Sequence, residues 1–295
     1  MNLTKCQTKS IFPKTKRILV IGDLHGDWEI TKKIFIYFKI IDINGRWIAE
    51  PKDTKIVQVG DIVDRGGRPH TIGDECSELK IMDFIDDIHQ QAEVYGGGIF
   101  CILGNHELMN VVGNFDYSGK ESISCFGGVD QRKEVFKPGG YISRYFSCHR
   151  KVVIKIGKFL FVHGGFGEKH LDRSIEKINK TMEDYLKGNK KLYNDEFINY
   201  YMAFEGVLWN RELSFGNPDC NKVNKILKHF DAGGIIVGHT VQENGINSKC
   251  DNKVWRVDIG MSKAFGESDK LEILEIWDDG EKLEQNNYKP FRILS

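Results

Sequence analysis

Five separate apolar runs in this chain end in the same way, with a glycine and then acidic, amide or imidazole side chains. The endings are GDLHGD (22–27), GDIVDRG (60–66), GNHE (104–107), VHGG (162–165) and GHT (238–240). A strand-length run of branched aliphatics must be buried, and polar groups placed at its end must meet partners there. Glycine lets the backbone turn sharply at such a point and approach a bound ion closely. Five such endings constrain the fold to one in which several strands deliver their carboxyl ends to a common place.

The runs themselves are RILVIGD (17–23), KIVQVGD (55–61), IFCILGN (99–105), KVVIKIG (151–157), KFLFVHG (158–164) and GIIVGHT (234–240), followed by VWRVDIG (254–260) and LEILEIW (271–277). Between the first three lie stretches of helical period. Residues 27–40 put Ile30, Ile34, Phe35 and Phe38 on one face with Asp27 as cap, and 75–95 do the same through Leu79, Met82, Phe84, Ile85 and Ile88. Alternating strand and helix predicts parallel strands joined by helical crossovers up to residue 105. The runs 151–157 and 158–164 meet at Gly157-Lys158 and predict an antiparallel hairpin. The expectation is an α/β fold with a mixed sheet arrangement and helices outside. Residues 110–150 and 165–225 are less regular and read as helical or loop insertions, and no linker divides residues 1–295, so one domain is expected.

Ligands collect at the carboxyl ends of strands in such sheets. Asp23 and His25 are two positions apart and point the same way in an extended segment. Asp61 ends the second run, where one carboxylate can bridge two ions, and Asn105, His163 and His239 offer neutral oxygen and nitrogen donors. A mixed nitrogen and oxygen set without sulfur favours manganese, iron or zinc over calcium. Two divalent ions would keep net positive charge against the carboxylates of Asp23 and Asp61, draw in a phosphate dianion and lower the pKa of bound water to about 7. Arg65 supplies a planar fork suited to phosphate. His106 adjoins a ligand without being needed as one and suits a general acid, with Asp64 to orient it. Glu107 is expected to anchor the loop.

These residues resemble the phosphoprotein phosphatases of the metallophosphoesterase superfamily, which carry GDxHG, GDxxDRG, GNHE, HGG and GH motifs in that order; here the set spans residues 22 to 240. The resemblance implies a four-layer αββα sandwich of two mixed sheets between helices, with a dinuclear metal site at one rim. It implies that Asp23, His25, Asp61, Asn105, His163 and His239 are the metal ligands, manganese being the first expectation, and that His106, Asp64 and Arg65 act as above. It also implies a second phosphate-contacting arginine between the HGG and GH motifs, for which Arg211 in VLWNRE is the candidate.

A narrower likeness joins LGNHELMNVVGNFDY (103–117), FKPGGYISRYF (136–146), VGHTVQENGI and VWRVDIGMS to the Shewanella-like protein phosphatases. Asn114 and Asp116 depart from the GDFRY form expected in that loop. The toxin-binding C-terminal segment of the common eukaryotic enzymes is absent, which implies weak inhibition by okadaic acid or microcystin. The expected function is a metal-dependent protein phosphatase acting on Ser, Thr or Tyr phosphomonoesters. A diadenosine tetraphosphate hydrolase, favoured by LWNRE, is the alternative, and a non-catalytic scaffold the third reading.

Charge enters here. The 42 basic and 42 acidic residues cancel, so neither nucleic acid nor an anionic membrane is expected as a partner. The expected partner is a phosphoprotein or phosphopeptide. No run reaches the roughly 20 apolar residues of a membrane span, and the basic N-terminus lacks a secretory apolar core, so a cytoplasmic chain is expected. Seven scattered cysteines without a Cys-x-x-Cys pair predict reduced thiols, with Cys101 packed in the core. The basic residues Arg132, Lys133, Lys137, Arg144, Arg150 and Lys151 read as a solvated face, with Arg144 also a candidate to face substrate.

Overall fold

Val20, Val57 and Phe100 lie side by side on three parallel strands, and that register sets the geometry of everything beyond the strand ends. The computed structural model describes residues 6–277 and 291–295. Its strands are, in chain order, β1 (Ile11–Phe12), β2 (Arg17–Ile21), β3 (Lys55–Gln58), β4 (Gly98–Ile102), β5 (Arg150–Lys151) and β6 (Val153–Ile156). There follow β7 (Phe159–Val162), β8 (Gly234–Val237), β9 (Asn247–Lys249), β10 (Val254–Arg256), β11 (Ile273–Trp277) and β12 (Phe291–Leu294).

They form two six-stranded mixed sheets, ordered β12-β11-β2-β3-β4-β5 and β1-β6-β7-β8-β10-β9. In the first, β2 to β5 run parallel and β11 lies antiparallel against β2. In the second, the expected hairpin is β6 and β7, while β7, β8 and β10 are parallel neighbours. Leu19, Val20, Ile56, Val57, Leu160, Phe161, Ile235 and Ile236 are all buried, so both faces of the central strands are covered. This is the four-layer α/β sandwich that the motifs imply.

Helix α1 (Trp28–Tyr37) starts where the Asp27 carboxylate accepts the Ile30 N–H at 3.2 Å. It ends short of residue 40 because Lys39 takes φ 55°. Helix α2 (Glu78–Glu93) packs on β4, burying Ile81, Met82, Ile85 and Ile88. It begins later than residue 75 because Glu75 bonds the Trp28 N–H and Cys76 is bridged to Cys125. Across 105–149 run α3 (Asn105–Val111), α4 (Lys120–Cys125), α5 (Val129–Phe136) and α6 (Tyr141–His149), all preceded by glycine. Beyond β7 come α7 (Ile175–Leu186), which packs on β6, the short α8 (Asp195–Phe197) and α9 (Cys220–His229).

Two expectations are corrected here. Six cysteines form disulfides, Cys6–Cys148, Cys76–Cys125 and Cys220–Cys250. Their sequence separations of 142, 49 and 30 residues leave no local spacing to read. Cys101 is the free thiol, and burial pushes it up to about 11. The basic run is not one solvated face either. Lys133 and Arg144 are exposed, but Arg132 is buried on the inward face of α5, and Arg150 and Lys151 are buried as strand β5.

Candidate active site

Each strand that ends in a motif leaves the sheet through a strained or crowded turn. His25, Asp61, Asp64 and His239 have φ of 41°, 54°, 69° and 67°, a region that side chains avoid unless the surroundings hold them there. Glycine is required beside them. A Cβ on Gly104 would stand 2.1 Å from the Asp61 Oδ1, and one on Gly238 would stand 2.5 Å from the Asp23 Oδ1. The first sheet thus brings Asp23, His25, Asp61 and Asn105 to its edge, and the second brings His163 and His239 against them.

The six residues converge. Asp61 Oδ2 lies 3.2 Å from His163 Nε2 and 3.8 Å from His25 Nε2, and His163 Nε2 lies 2.9 Å from Asn105 Oδ1. The His239 N–H donates to Asp23 Oδ2 at 3.1 Å. Donor atoms of His25, Asp61 and His106 fall within 4.8 Å of one another, as do those of Asp61, His163 and His239. Asp61 is common to both sets.

Ring tautomers follow from the backbone. His163 Nδ1 donates to the Val59 carbonyl at 2.7 Å and His25 Nδ1 to the Asp64 carbonyl at 3.1 Å, so both turn Nε2 inward. His239 gives Nε2 to the Trp209 carbonyl, which leaves Nδ1. His163 Nε2 then faces two oxygen acceptors, Asn105 and Asp61, an arrangement that demands positive charge. Burial lowers the His163 pKa, but the Asp61 carboxylate outweighs it and the net shift is upward. Burial raises Asp61, yet His163, His106 and His25 together hold it well below the usual carboxylate range. Burial, Asp258 and Asp61 push Asp23 up, and its buried Oδ1 has no hydrogen-bond partner. An orphaned carboxylate oxygen among inward lone pairs fits divalent cations.

His106 stands at the edge of this cluster. Its Nδ1 donates to Asp64 Oδ2 at 3.0 Å, and its Nε2 lies 3.9 Å from Asp61 Oδ2. Asp64 is fixed by Ser118 Oγ at 2.6 Å, Asn110 Nδ2 at 2.8 Å and Arg132 Nη2 at 3.3 Å. Although burial opposes ionisation, His106 first and then Arg132 and Ser118 lower the Asp64 pKa. Arg132 is in turn held by both oxygens of Glu78, at 2.9 and 3.1 Å. Glu107 anchors the turn, accepting the N–H groups of Gly104, Asp61, Ile62 and Val63.

The arginines divide differently from expectation. Arg65 is buried, with Nη1 on Glu75 and Nη2 on the Ile72 carbonyl, both at 2.9 Å. Its two terminal nitrogens are engaged by those partners. Arg211 is at the rim, donating to the His239 carbonyl at 2.8 Å and to Thr240 Oγ1 at 2.6 Å. Arg144 is exposed on α6. Sequence reading passed over Arg68, whose Nη2 reaches His106 Nε2 at 3.1 Å. It also passed over Asp258, a buried carboxyl that burial and Asp61 raise to about 6. The signal for Asp258 was present, since VWRVDIG ends on an acid and a glycine like the other strands.

A family model described as calcineurin-like phosphoesterase matches residues 16–243. The chain belongs to the calcineurin-like phosphoesterases. Members of this family are hydrolases that work with divalent metal ions, so the chain is a metal-dependent phosphatase. This calcineurin-like phosphoesterase is 32% identical to Shewanella-like protein phosphatase 2 of Arabidopsis thaliana, over 90% of this chain and 76% of the relative. It is 30% identical to Shewanella-like protein phosphatase 1 of Plasmodium berghei, over 83% and 67%. Among solved structures it is similar in fold to a cold-active protein-tyrosine phosphatase of a psychrophilic Shewanella species, with TM-score 0.78 and 24% identity over 93% of this chain and 79% of the other. Among the described residues no helix is long and apolar enough to cross a membrane.

Proposed function

We propose that this phosphoesterase is a protein phosphatase that hydrolyses side-chain phosphomonoesters at a site holding two divalent ions. The observation that carries the reading is Asp61, shared by two three-residue donor sets. Asp23, His25 and Asp61 would hold one ion, and Asp61, Asn105, His163 and His239 the other, with manganese the first candidate. Bound there, divalent ions supply Lewis acidity toward the phosphate and lower the pKa of water.

The chain's own groups supply the rest. His106 is the proposed general acid, since Asp64 fixes its Nδ1 and leaves Nε2 to give a proton to the departing oxygen. Asp64 also stabilises the imidazolium, and Arg132, Ser118 and Asn110 keep that carboxylate ionised and aimed. Arg211, which donates to the His239 carbonyl, would meet the phosphate from that side. The named activity of the Shewanella-like relatives and the protein-tyrosine phosphatase neighbour supports a phosphoprotein substrate. Tyr117 and Phe265, edge-on to His106 and His25 at 5.0 and 5.2 Å, favour a phosphotyrosyl ring at the mouth. We read residues 1–295 as one catalytic domain, and three disulfides favour an oxidising compartment over the cytosol.

The test is to strip metal, restore Mn(II) and compare initial rates on phosphotyrosine, phosphoserine and phosphothreonine peptides with diadenosine tetraphosphate. Faster turnover of a phosphopeptide supports the proposal. Preference for the dinucleotide moves the function to nucleotide hydrolysis, and no turnover with metal bound leaves a scaffold.

A further inference from the structure

Helix α3 carries Asn105 and His106 in its first turn and ends at Val111, and the chain turns away at Gly113 with φ 84°. Val111 and Val112 floor a groove of about 300 Å³, and Tyr185 and Tyr193 wall it with rings close to parallel and centroids 5.7 Å apart. Lys133 and Lys137 line it from α5 and its C-cap, and Lys190 lines it from the turn that follows α7. The backbone closes tightly to set these three on one rim. The Gly139 N–H donates to the Leu186 carbonyl at 2.9 Å, and a Cβ on Gly188 would stand 3.3 Å from the Gly139 Cα, so the link from α5 to α6 lies against the end of α7.

Three lysines around an apolar floor repel one another and gain nothing by gathering there. Lys137 pairs with Glu134, whereas Lys133 and Lys190 have no ion pair or side-chain hydrogen bond among the described residues. Glu134 shows what the rim attracts, because its carboxyl is held below the usual range by Lys137 first and then by Lys133 and Lys190. Three ammoniums less that one carboxylate leave a local charge of +2 on a chain of formal net charge zero.

We propose that this groove is a docking site for an acidic segment of the phosphoprotein substrate, with one apolar or aromatic side chain on Val111 and Val112 and aspartates or glutamates on either side of it. The inference deepens the phosphatase reading above and rests on it. Charge complementarity selects the occupant, since carboxylates neutralise the rim while the apolar floor asks for a side chain that a simple anion lacks. Position ties the groove to the candidate site. The seven residues of α3 put its ends roughly 9 Å apart at about 1.5 Å per residue. An extended peptide covers that span in about three residues, so the docked residues would lie roughly three to five positions from the phosphorylated one. Residues 113–117 lead from the groove to the Tyr117 ring beside His106.

The test uses Mn(II)-loaded protein and a phosphopeptide of the side-chain class turned over fastest, flanked on both sides by Glu, Asp and Leu. Its counterpart has Gln and Asn in place of the acids, and p-nitrophenyl phosphate serves as a substrate with no flanks to dock. Wild type should prefer the acidic peptide by about threefold to tenfold in KM with kcat little changed, and the preference should shrink as salt rises from about 0.05 to 0.5 M. Lys133→Glu combined with Lys190→Glu should abolish or invert the preference, with p-nitrophenyl phosphate turnover and thermal unfolding at wild-type values. Glu134→Gln should sharpen it by removing the carboxylate that already occupies the rim. An acidic preference that survives the double variant overturns the inference, as do equal turnover of the two peptides by wild type and a double variant that loses all three substrates alike. A changed sedimenting mass in the double variant also overturns it and gives the groove to a second copy of the chain. Fluorescence anisotropy of the unphosphorylated acidic peptide separates the two readings. If that peptide binds wild type and not the double variant while no phosphopeptide is turned over, the docking site stands and the phosphatase reading fails.

Discussion

Glu107 Oε2 accepts the backbone N–H of Asp61 at 3.0 Å and that of Gly104 at 2.7 Å, so one carboxylate oxygen ties together the ends of β3 and β4. The return contact is the His106 N–H donating to Asp61 Oδ1 at 3.0 Å. The proposed bridging carboxylate and the proposed acid are therefore spaced by Glu107.

Glu107→Ala leaves four buried N–H groups without their acceptor and should cost about 3–5 kcal/mol. Glu107→Gln should cost less but more than a surface change, because its amide nitrogen must face N–H donors. Urea unfolding of the Mn(II)-loaded proteins checks both, and a wild-type midpoint for Glu107→Ala would refute the anchoring role.

Asp64→Asn keeps the shape of the side chain while removing the charge that steadies the His106 imidazolium. The kcat should fall by about 100-fold or more with metal content unchanged. His106→Asn should show a similar loss, and the double variant little more than either, since the two act as a unit. Steady-state kinetics beside metal analysis read this out, and additive losses would count against the pairing.

Asp258 carries a pH signature in the metal-free protein. Its folded pKa of about 6 exceeds the roughly 3.9 of an unfolded Asp, so the native state holds a proton that the unfolded chain releases. This contribution penalises folding above the folded value, vanishes below about pH 4, and grows between those limits to about 3 kcal/mol. Metal-free Asp258→Asn should match wild type near pH 4 and exceed it at pH 7.5. Mn(II) should narrow that gap by stabilising the ionised carboxyl. Denaturation curves at the two pH values decide, and a variant no more stable at pH 7.5 would remove Asp258 from the account.

Unfolding without reductant should expose one alkylatable thiol, Cys101, against seven after reduction. Bridges closing long loops should also make reduction destabilising, about 5 kcal/mol for Cys6–Cys148 alone on loop entropy. Mass spectrometry after iodoacetamide treatment gives the count, and several labelled cysteines without reductant would contradict the pairing.

The strands and their ends were legible because burial on both faces forces continuous aliphatic runs, as at Leu19–Ile21 and Ile235–Val237. The helices of 105–149 were not, since Gly104, Gly119, Gly128 and Gly140 stand where a Ser, Thr, Asp or Asn cap would have announced them. Arg132 looked like a surface charge because its partners, Glu78 and Asp64, are 54 and 68 residues away. Arg68 was hidden for a related reason. Its setting comes from Tyr117 and Phe265, which only the folded chain sets on either side of it.

The two sheets contribute separately to one rim, with Asp23, His25, Asp61 and Asn105 from one and His163 and His239 from the other. An ion held by both groups would act as a rivet across the sandwich. Its affinity then gauges how firmly the halves are pressed together, and a fragment carrying a single sheet would keep part of the donor set without the means to close it.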